Sequence, residues 1–438
     1  MERYSEYKDS GVQWLGEIPS HWKTVPFKRI IENRKVGSWG AGPQEKEFNC
    51  VCLRIADFDY SKLRFKRVSN YTIRSYSSKD FVDRILKKGD ILIEKSGGGE
   101  KTPVGRAVVY DLDISNAMYA NFMEKIKLKG LVSPFFCIYY LSALYSSRVV
   151  WKYVKFTTGI QNIDMAAFIR NEKLVFPPKE EQNAIVSYLD TKCSRIETLL
   201  SNKEKEITLL QEMKQRIIAN AVTRGLNPNV KFKSTNIPWL PEIPEHWEEK
   251  RLSTKFTGDI EANKNFEYKH AFKFNYGELV PKNEVGNPEE YKDVYVKYSL
   301  IKKGDVLING LNLNYDFVSQ RVACAPAGGI ITSAYVVCRP RQGVNYDYYT
   351  LLFKAMDNMK LFHGMGTGIR LTLSFKELKK QLLPVPPLSE QHAIVSYITE
   401  RTSKINSLIE KLNKEIECIK EYKQRLISDV VTGQIKVS

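Results

Sequence analysis

The residues that come nearest to a cofactor-binding pattern form a glycine-rich run, residues 96–102 (SGGGEKT). Such a run resembles a phosphate-binding loop, in which backbone amides and a lysine hold phosphate groups. It lacks the glycine directly before Lys-Thr and the G-x-x-x-x-G-K-[ST] spacing, so nucleotide binding is not predicted here. A loop of backbone amides with Lys95 and Lys101 could still approach a DNA phosphate.

Other patterns that could carry chemistry are incomplete. The Pro-Pro pairs at Pro177-Pro178 and Pro386-Pro387 lack the Asp or Asn that adenine methyltransferases place before Pro-Pro. Glu290 and Lys292 fit the E-x-K part of a nuclease signature but stand in a turn-like context. The five histidines include no H-E-x-x-H, and the seven cysteines include no C-x-x-C pair. The sequence therefore predicts no catalytic site, no metal site and no disulfide framework.

Charge and hydropathy indicate the class of partner. Lys plus Arg number 67 against 50 for Asp plus Glu, which gives a formal net charge of +17. This balance favours a polyanionic partner, most simply nucleic acid, and the alternative is a charge that only aids solubility. The N-terminal residues are polar, and the most apolar stretch, residues 134–144, is too short to span a bilayer. We expect no membrane contact, a cytoplasmic location and reduced thiols.

An internal repeat organises the chain. Residues 14–22 (WLGEIPSHW) return as residues 239–247 (WLPEIPEHW), and residues 87–93 (KKGDILI) return as residues 302–308 (KKGDVLI). From Thr-Gly-Ile onwards the two copies are collinear through the Pro-Pro, Glu-Gln, Ala-Ile-Val-Ser-Tyr, Lys-Gln-Arg and Val-Thr motifs. The segments between His-Trp and Thr-Gly-Ile differ in sequence and length. This pattern is typical of a protein in which one repeated scaffold carries two different recognition surfaces.

The collinear segments are predicted to be long helices. After Pro178 the chain runs to about Arg224 without Gly or Pro, and after Pro387 it does so to about Thr432. Gly225 and Gly433 are good stop signals. Most positions spaced alternately four and three apart are apolar in both copies, which is a coiled-coil signature. We expect the two helices to pair within the chain, rather than to form a dimerisation coil between chains, because both partners are already present.

The divergent segments, residues 26–176 and about 251–385, carry strand-like runs followed by helical patterns near residues 134–153 and 346–362. Strands are expected at 90–94, 104–110, 305–309, 318–323 and 330–338, largely antiparallel. Cys50 and Cys52 have the spacing of alternate positions on a strand. Near their turns, both segments are rich in residue types that contact phosphates and base edges.

Together these motifs resemble a known family. The order W-x-x-x-I-P-x-H-W, variable region, K-K-G-D-[IV]-L-I, T-G-I, P-P-x-x-E-Q-x-A-I-V-x-[YF] and long helix occurs twice. This order is similar to that of the specificity subunits of type I restriction-modification enzymes. The resemblance implies that each variable region reads one half of a split, asymmetric DNA target. If both halves are read from one face of the DNA, they should lie about one turn, ~34 Å, apart.

The resemblance also implies the partners. Two modification (methyltransferase) subunits, which carry S-adenosylmethionine, dock on the helices, and restriction subunits supply translocation and cleavage driven by ATP and Mg²⁺. The chain itself is expected to hold no cofactor and to be no enzyme. The alternatives are a stand-alone DNA-binding adaptor or scaffold of the same architecture, and, in a different class, a self-contained enzyme such as a fused nuclease.

The expected fold is α+β, with two globular recognition domains separated by a pair of long antiparallel coiled-coil helices and related by a pseudo-twofold repeat. The domains are predicted as residues 1–177 (first target-recognition domain), 178–225 (central helix), 226–386 (second target-recognition domain) and 387–438 (C-terminal helix).

Residues for DNA contact are predicted from motif position. In the first domain they are Lys95, Ser96, Gly97, Gly98, Lys101, Thr102, Arg106, Thr157, Thr158, Gly159, Ile160, Gln161 and Asn162. In the second they are Asn309, Asn312, Asn314, Tyr315, Arg321, Gly366, Thr367, Gly368, Ile369 and Arg370. Asn and Gln suit adenine, and Arg suits guanine. Two alternatives stay open: Thr-Gly-Ile as a junction kept for its backbone geometry, and residues 309–314 as a turn network.

Overall fold

The structure, a computed structural model, describes residues 2–44, 48–99, 102–157, 159–282, 287–369 and 371–437. The chain folds into two compact units. The first unit comprises Met1–Glu204 and Asn413–Ser438, and the second unit comprises Lys205–Leu412. Each unit is a mixed domain of short strands and helices that also holds part of both long helices.

The helical segments are short except for two. The α-helices are Phe27–Ile30, Ser78–Arg84, Pro134–Ser146, Met165–Asn171, Lys179–Arg224, Lys292–Tyr295, Tyr346–Asn358, Phe375–Leu378 and Leu388–Val431. Short 3-10 helices cover Ile55–Asp57, Val149–Tyr153, Leu252–Thr254, Pro288–Tyr291 and Leu361–Gly364. Within the described ranges, no helix combines the length and apolar character that crossing a membrane demands.

The two long helices begin and end where the sequence predicts. The central helix, Lys179–Arg224, starts directly after the first Pro-Pro pair, and the C-terminal helix, Leu388–Val431, starts directly after the second. Gly225 and Gly433 follow their ends with φ of +74° and +76°. This left-handed conformation is free of strain only for glycine, so both helices stop at these positions.

The helices pair with each other inside each unit. In the first unit Lys423 of the C-terminal helix donates to the Glu197 carboxylate of the central helix at 2.6 Å. In the second unit Lys214 of the central helix donates to the Asn406 side chain at 2.9 Å. The beginning of one helix thus meets the end of the other, and the predicted heptad positions of both helices are buried or half-buried. This confirms the antiparallel pair within the chain.

Each variable region is built on the same four-stranded antiparallel sheet. In the first unit the strand order is Ala107–Val109, Ile91–Glu94, Met123–Leu128 and Ile31–Val36. In the second it is Val322–Cys324, Val306–Ile308, Val336–Pro340 and Phe256–Thr257. In each sheet the strand that comes first in the sequence, Ile31–Val36 or Phe256–Thr257, lies at an edge. The strand that comes second in the sequence, Ile91–Glu94 or Val306–Ile308, lies between the two later strands. The duplication therefore extends into the regions where the two sequences have diverged.

The remaining strands form smaller sheets. In the first unit Tyr7–Asp9 pairs with Glu17–Pro19, Lys23–Pro26 with Lys173–Phe176, Phe58–Asp59 with Arg64–Phe65, Phe48–Leu53 with Ile73–Tyr76 and Ala117–Tyr119, and Ile160–Ile163 with Ser96–Gly97 and Val154–Thr157. In the second unit Phe232–Ser234 pairs with Glu242–Pro244, Glu248–Arg251 with Leu382–Val385, Phe272–Asn275 with Glu278–Pro281, and Ser299–Ile301 with Gly329–Ile331. Only the pairing of Ala117–Tyr119 with Phe48–Leu53 is parallel among the described strand pairs.

Three predicted strands differ from the structure. The strand expected at 104–110 covers only Ala107–Val109. The strand expected at 318–323 begins only at Val322, because the chain bends through residues 316–321. The strand expected at 330–338 is two strands, Gly329–Ile331 and Val336–Pro340, joined by a turn. By contrast, Cys50 and Cys52 lie buried on Phe48–Leu53, at the alternate strand positions that their spacing predicted. The helical pattern expected near residues 134–153 begins with helix Pro134–Ser146, whose side chains are largely buried.

The repeated His-Trp and Glu-Gln motifs meet in each unit. Trp22 is fully buried, and its indole donates to Glu181 at 3.2 Å. In the second unit Trp247 is also fully buried and donates to Glu390 at 3.0 Å. The glutamate lies in the first turn of a long helix, where a carboxylate is also favoured by the helix dipole. This contact explains why both motifs recur together.

The two histidines of the repeat contact the same carboxylates. His21 lies 2.8 Å from Glu181, and His246 lies 2.8 Å from Glu390. Tyr4 also donates to Glu181 at 2.5 Å, and burial together with this carboxylate raises the pKa of the phenol. In each unit the motif glutamate thus contacts both the tryptophan and the histidine of the His-Trp motif at the start of a long helix.

Candidate nucleic-acid interface

In the first unit, two predicted DNA-contact segments come together, although Ser96 and Asn162 are 66 residues apart in the sequence. Ser96–Gly97 forms an antiparallel ladder with Ile160–Ile163, in which Ser96 lies opposite Asn162 and Gly97 opposite Gln161. The Ser96 hydroxyl also donates to the Asn162 side chain at 2.5 Å. We call the described residues 95–99, 102, 157 and 159–162 the first loop cluster.

Several members of the first loop cluster hold it together rather than face solvent. Ser96 and Gln161 are buried, and the Gln161 side-chain oxygen accepts the backbone amide of Val104 at 3.2 Å. Gly98 has φ +67°, and a Cβ there would lie 2.9 Å from the same Gln161 oxygen. Only glycine fits this position, since both the conformation and the space exclude a side chain. The surface that remains exposed comes from the backbone at Gly98 and from other members, namely Thr102, Gly159 and Ile160.

Arg106 lies beside the first loop cluster and is occupied by an ion pair. Its guanidinium makes two hydrogen bonds to Glu94, at 2.9 and 3.2 Å, and stacks 3.8 Å from the centroid of the Tyr60 ring. Burial raises the pKa of Glu94, and the arginine opposes that rise. The Arg106 side chain is 23% exposed. Its charge is thus balanced inside the protein, while one edge still reaches the surface.

The second unit repeats this arrangement with different residues. Leu373 donates its backbone amide to Gly310 at 2.9 Å, and the Asn314 side chain donates to the Ile369 carbonyl at 3.3 Å. The loop after strand Val306–Ile308 therefore lies against the segment that carries the second Thr-Gly-Ile. We call the described residues 309–316, 366–369 and 371–373 the second loop cluster.

Arg321 does not have the DNA-contact role that its position in the sequence suggested. Its side chain is 0% exposed, and its guanidinium donates to the carbonyls of Asn309 (2.9 Å), Leu311 (2.8 Å) and Asp316 (2.6 Å). All of these carbonyls belong to the loop that Arg321 closes. The prediction is wrong because the buried Arg321 guanidinium is hydrogen-bonded to the backbone of its own loop and cannot reach a base.

The side chain of Asn309 supports the turn-network alternative. Its oxygen accepts the backbone amide of Leu311 at 3.2 Å, and the Asn309 backbone amide donates to the Arg321 carbonyl at 2.8 Å. Asn309 thus shapes the loop from inside. Asn312 and Tyr315 are exposed, with Tyr315 76% exposed, and they stay candidates for contact with a partner.

The Thr-Gly-Ile segments have the same backbone geometry in both units. Gly159 and Gly368 have φ of +80° and +78°, which supports the interpretation that the motif is kept for its turn. In the second unit Thr367 and Thr372 exchange two backbone hydrogen bonds, at 3.0 and 2.9 Å, across that turn. Ile369 is 95% exposed at its tip, so the turn also presents an apolar side chain.

Three predicted contact residues, Lys101, Thr158 and Arg370, lie outside the described residues, as does the side chain of Thr157. Lys95, Gly97 and Asn162 are half-buried within the first loop cluster, and Gly366 is half-buried within the second. Their roles in binding DNA stay predictions.

Sequence reasoning missed an aromatic cleft next to the first loop cluster. The cleft has a volume of about 400 Å³ and is lined by Trp39, Arg54, Ile55, Ala56, Ala120, Asn121 and Phe122. Trp39 is 41% and Phe122 48% exposed. The signal in the sequence was a tryptophan between glycines, Gly37-Ser38-Trp39-Gly40, because such a loop can present a large side chain on a fixed turn.

Within the ranges described above, no three or more His, Cys, Asp or Glu side chains are grouped so that they could hold a metal ion. The seven cysteines are free thiols, and burial raises the pKa of Cys137 and Cys338. The thiol is therefore the stable form at both sites.

Comparison with protein families gives two matches within the chain. The model described as "Type I restriction modification DNA specificity domain" matches residues 58–209 and 244–418. The first match includes three of the four strands of its variable-region sheet, and the second includes all four. Each match also includes much of the long helix that follows. The duplication seen in the sequence is thus a duplication of this domain.

Curated relatives match over long stretches at low identity. The chain is 23% identical over 443 residues to a Methanocaldococcus jannaschii protein described as the MjaX specificity subunit of a type I restriction enzyme, covering 97% of this chain and 96% of the relative. It is 27% identical over 300 residues to the MjaVIII specificity subunit of the same organism, covering 64% and 66%. It is 23% identical over 289 residues to the EcoBI specificity subunit of Escherichia coli, covering 61% and 59%.

Solved structures share the fold. A chain from a study of complex assembly and conformational transition in the type I restriction-modification system matches with a TM-score of 0.66 at 13% identity, covering 95% of this chain and 99% of that one. The HsdS subunit from Thermoanaerobacter tengcongensis matches with a TM-score of 0.50 at 15% identity, covering 95% and 98%. At such identities the likeness concerns the fold alone.

Proposed function

Because the chain belongs to the family of type I restriction-modification specificity subunits, its function is DNA target recognition, and we propose that it reads a target made of two different halves. One observation carries this proposal. The two units share a sheet order and the way two loops meet, but the residues exposed on the loop clusters differ. Two different reading surfaces on one scaffold predict two different half-sites.

We further propose that the chain supplies recognition without catalysis. Methylation with S-adenosylmethionine and ATP- and Mg²⁺-dependent translocation and cleavage would belong to the modification and restriction subunits. This assignment rests on the family and on the incomplete catalytic motifs of the sequence. Its place of action would be the cytoplasm, where the DNA substrate lies.

The long helices offer a surface for the methyltransferase subunits. Both carry apolar side chains outside their paired seam, and the more exposed ones are Leu199, Leu209, Met213, Leu388, Leu408 and Tyr422. Exposed apolar residues of this size on an otherwise polar helix are typical of a protein interface. We propose that two methyltransferase subunits dock here and hold their active sites near the bound DNA.

The test is to co-express the chain with the methyltransferase subunits of its own system and to map methylated bases in the host DNA. The expected result is a motif with two specified halves, different from each other, separated by unspecified base pairs. A continuous or palindromic motif would contradict the proposal. A chain that binds duplex DNA but does not co-purify with those subunits would instead be a stand-alone adaptor.

A further inference from the structure

The aromatic cleft of the first unit presents a large apolar surface that the fold does not use. Trp39 and Phe122 form two of its walls, and each keeps nearly half of its surface exposed. The Trp39 indole N–H has no hydrogen-bond partner among the described residues. Exposed tryptophan is costly in water, so a cleft of this kind is typical of a binding surface.

The tryptophan is held on a rigid backbone. Ser38 donates its amide to the Tyr119 carbonyl at 3.0 Å, and the Arg74 guanidinium donates to the carbonyls of Trp39 (3.1 Å) and Gly40 (3.2 Å). A Cβ at Gly37 would lie 2.2 Å from the Ala120 carbonyl oxygen, so the loop packs directly on the chain beneath it. None of these bonds involves the indole. The hydrogen bonds that hold the loop therefore do not depend on the indole.

The rim of the cleft is cationic. The Arg74 guanidinium stacks 4.6 Å from the centroid of the Trp39 ring, and no carboxylate in the described ranges pairs with it. Arg54 also lines the cleft and is 42% exposed, but its guanidinium pairs with the Asp57 carboxylate at 3.3 Å, so Arg74 supplies the uncompensated positive charge of the rim. The cleft therefore suits a partner that combines anionic groups with an apolar spot.

The cleft adjoins the first loop cluster. The Phe122 carbonyl accepts the amides of Lys95 at 2.8 Å and of Ser96 at 3.2 Å. The aromatic wall and the loop that the sequence marks for DNA contact are thus joined by two hydrogen bonds. A duplex that lies against one of them also reaches the other.

We propose that this cleft receives the 5-methyl edge of a thymine in the major groove of the first unit's half-site. The inference rests on the proposed function and adds a specificity determinant to it. The thymine methyl is the apolar group that the major groove displays, and the flanking phosphates match the cationic rim. Trp39 and Phe122 contact the methyl, Arg74 faces the phosphate backbone, and A·T is selected over G·C at that position.

The variants follow from the geometry. Trp39→Ala removes the indole but leaves every backbone bond of the loop, and Trp39→Phe keeps an aromatic wall. Leu131→Ala is the matched control, because Leu131 is another exposed apolar side chain of the first unit and does not line the cleft. All three should fold, which circular dichroism and thermal melting of the purified complex will check.

The experiment uses the complex with its methyltransferase subunits and the motif mapped as above. Each thymine of the target is replaced in turn by deoxyuridine, which differs only by the missing methyl, and the affinity for each duplex is measured. At one position in one half-site, we expect the loss of the methyl to weaken binding by the wild-type complex about three- to fourfold, as for one buried methyl group. That penalty should persist for Leu131→Ala, shrink for Trp39→Phe and vanish for Trp39→Ala.

Three results would overturn the inference. The first is that uracil at no position weakens binding by the wild-type complex, and the second is that the affinity loss caused by uracil is the same in Trp39→Ala. The third is that the Trp39→Ala chain loses its methyltransferase subunits while the free chain binds DNA normally. The last result would make the cleft a protein interface. Absence of sequence-specific binding to any duplex would overturn the proposed function itself, and is thereby distinguished from failure of the cleft alone.

Discussion

At the scale of single residues, the same side-chain type occurs in two different environments. Arg74 and Arg321 both donate to backbone carbonyls of a loop, but Arg74 does so at the edge of an exposed cleft and Arg321 does so inside the second unit. Each has one polar and one aliphatic neighbour in the sequence, so residue type and local sequence could not separate them. Burial decides, and burial depends on contacts between segments far apart in the chain.

Replacement of Arg321 by Ala should destabilise the second unit. Three loop carbonyls would lose a charged donor in a site that water does not reach, at a cost of about 3 kcal/mol. For a unit of this size that corresponds to a fall in melting temperature of roughly 6 to 12 °C. Differential scanning calorimetry of the purified chain measures it.

The control for that change is Arg425→Ala, which removes an arginine whose side chain is 84% exposed on the C-terminal helix. It should shift the melting temperature by little. Equal melting of the Arg321 and Arg425 variants would show that the buried guanidinium does not support the loop.

At the scale of elements, sequence predicted what local rules determine. The long helices were predictable at both ends because Pro-Pro precedes them and glycine follows them, and their seam was predictable from the heptad spacing of apolar residues. The strand expected at 318–323 failed since Val318 is 92% exposed and the bend is set by bonds to Arg321, which no local pattern reveals. The meeting of the two loops in each cluster likewise depends on pairing across many residues.

Two leucines of the central helix test the seam. Leu200 is 7% exposed at a heptad position, whereas Leu209 is 64% exposed outside the seam. Leu200→Ala should lower the free energy of unfolding by about 2 to 4 kcal/mol, because it leaves a cavity between the helices. Leu209→Ala, the matched control, should change it by less than about 0.5 kcal/mol.

Chemical denaturation followed by circular dichroism compares the two variants. Equal losses from both would contradict a seam at Leu200. If Leu209 also belongs to the docking surface, its variant should weaken co-purification of the methyltransferase subunits without loss of stability.

At the scale of the whole molecule, the net charge of +17 sets how binding responds to salt. Contacts of Lys and Arg with phosphates release counterions, so affinity should fall steeply as salt rises. With six or more such contacts, we expect a loss of roughly a thousandfold between about 50 and 200 mM salt. Fluorescence anisotropy with a labelled duplex of the mapped motif measures the slope.

A duplex of unrelated sequence is the comparison for that titration. Its affinity should be lower at every salt concentration and fall with a similar slope, because phosphate contacts do not depend on sequence. A slope near zero for both duplexes would mean that the basic charge serves solubility instead.

The pairing of strand Lys23–Pro26 with Lys173–Phe176 has a consequence for how new specificities could arise. The chain enters and leaves the first variable region on adjacent strands, and Glu248–Arg251 and Leu382–Val385 do the same for the second. A segment whose two ends lie side by side can be exchanged as a cassette without moving the scaffold that holds it. Recombination between the repeated motifs on either side would then give a chain that recognises a different half-site and still carries both long helices.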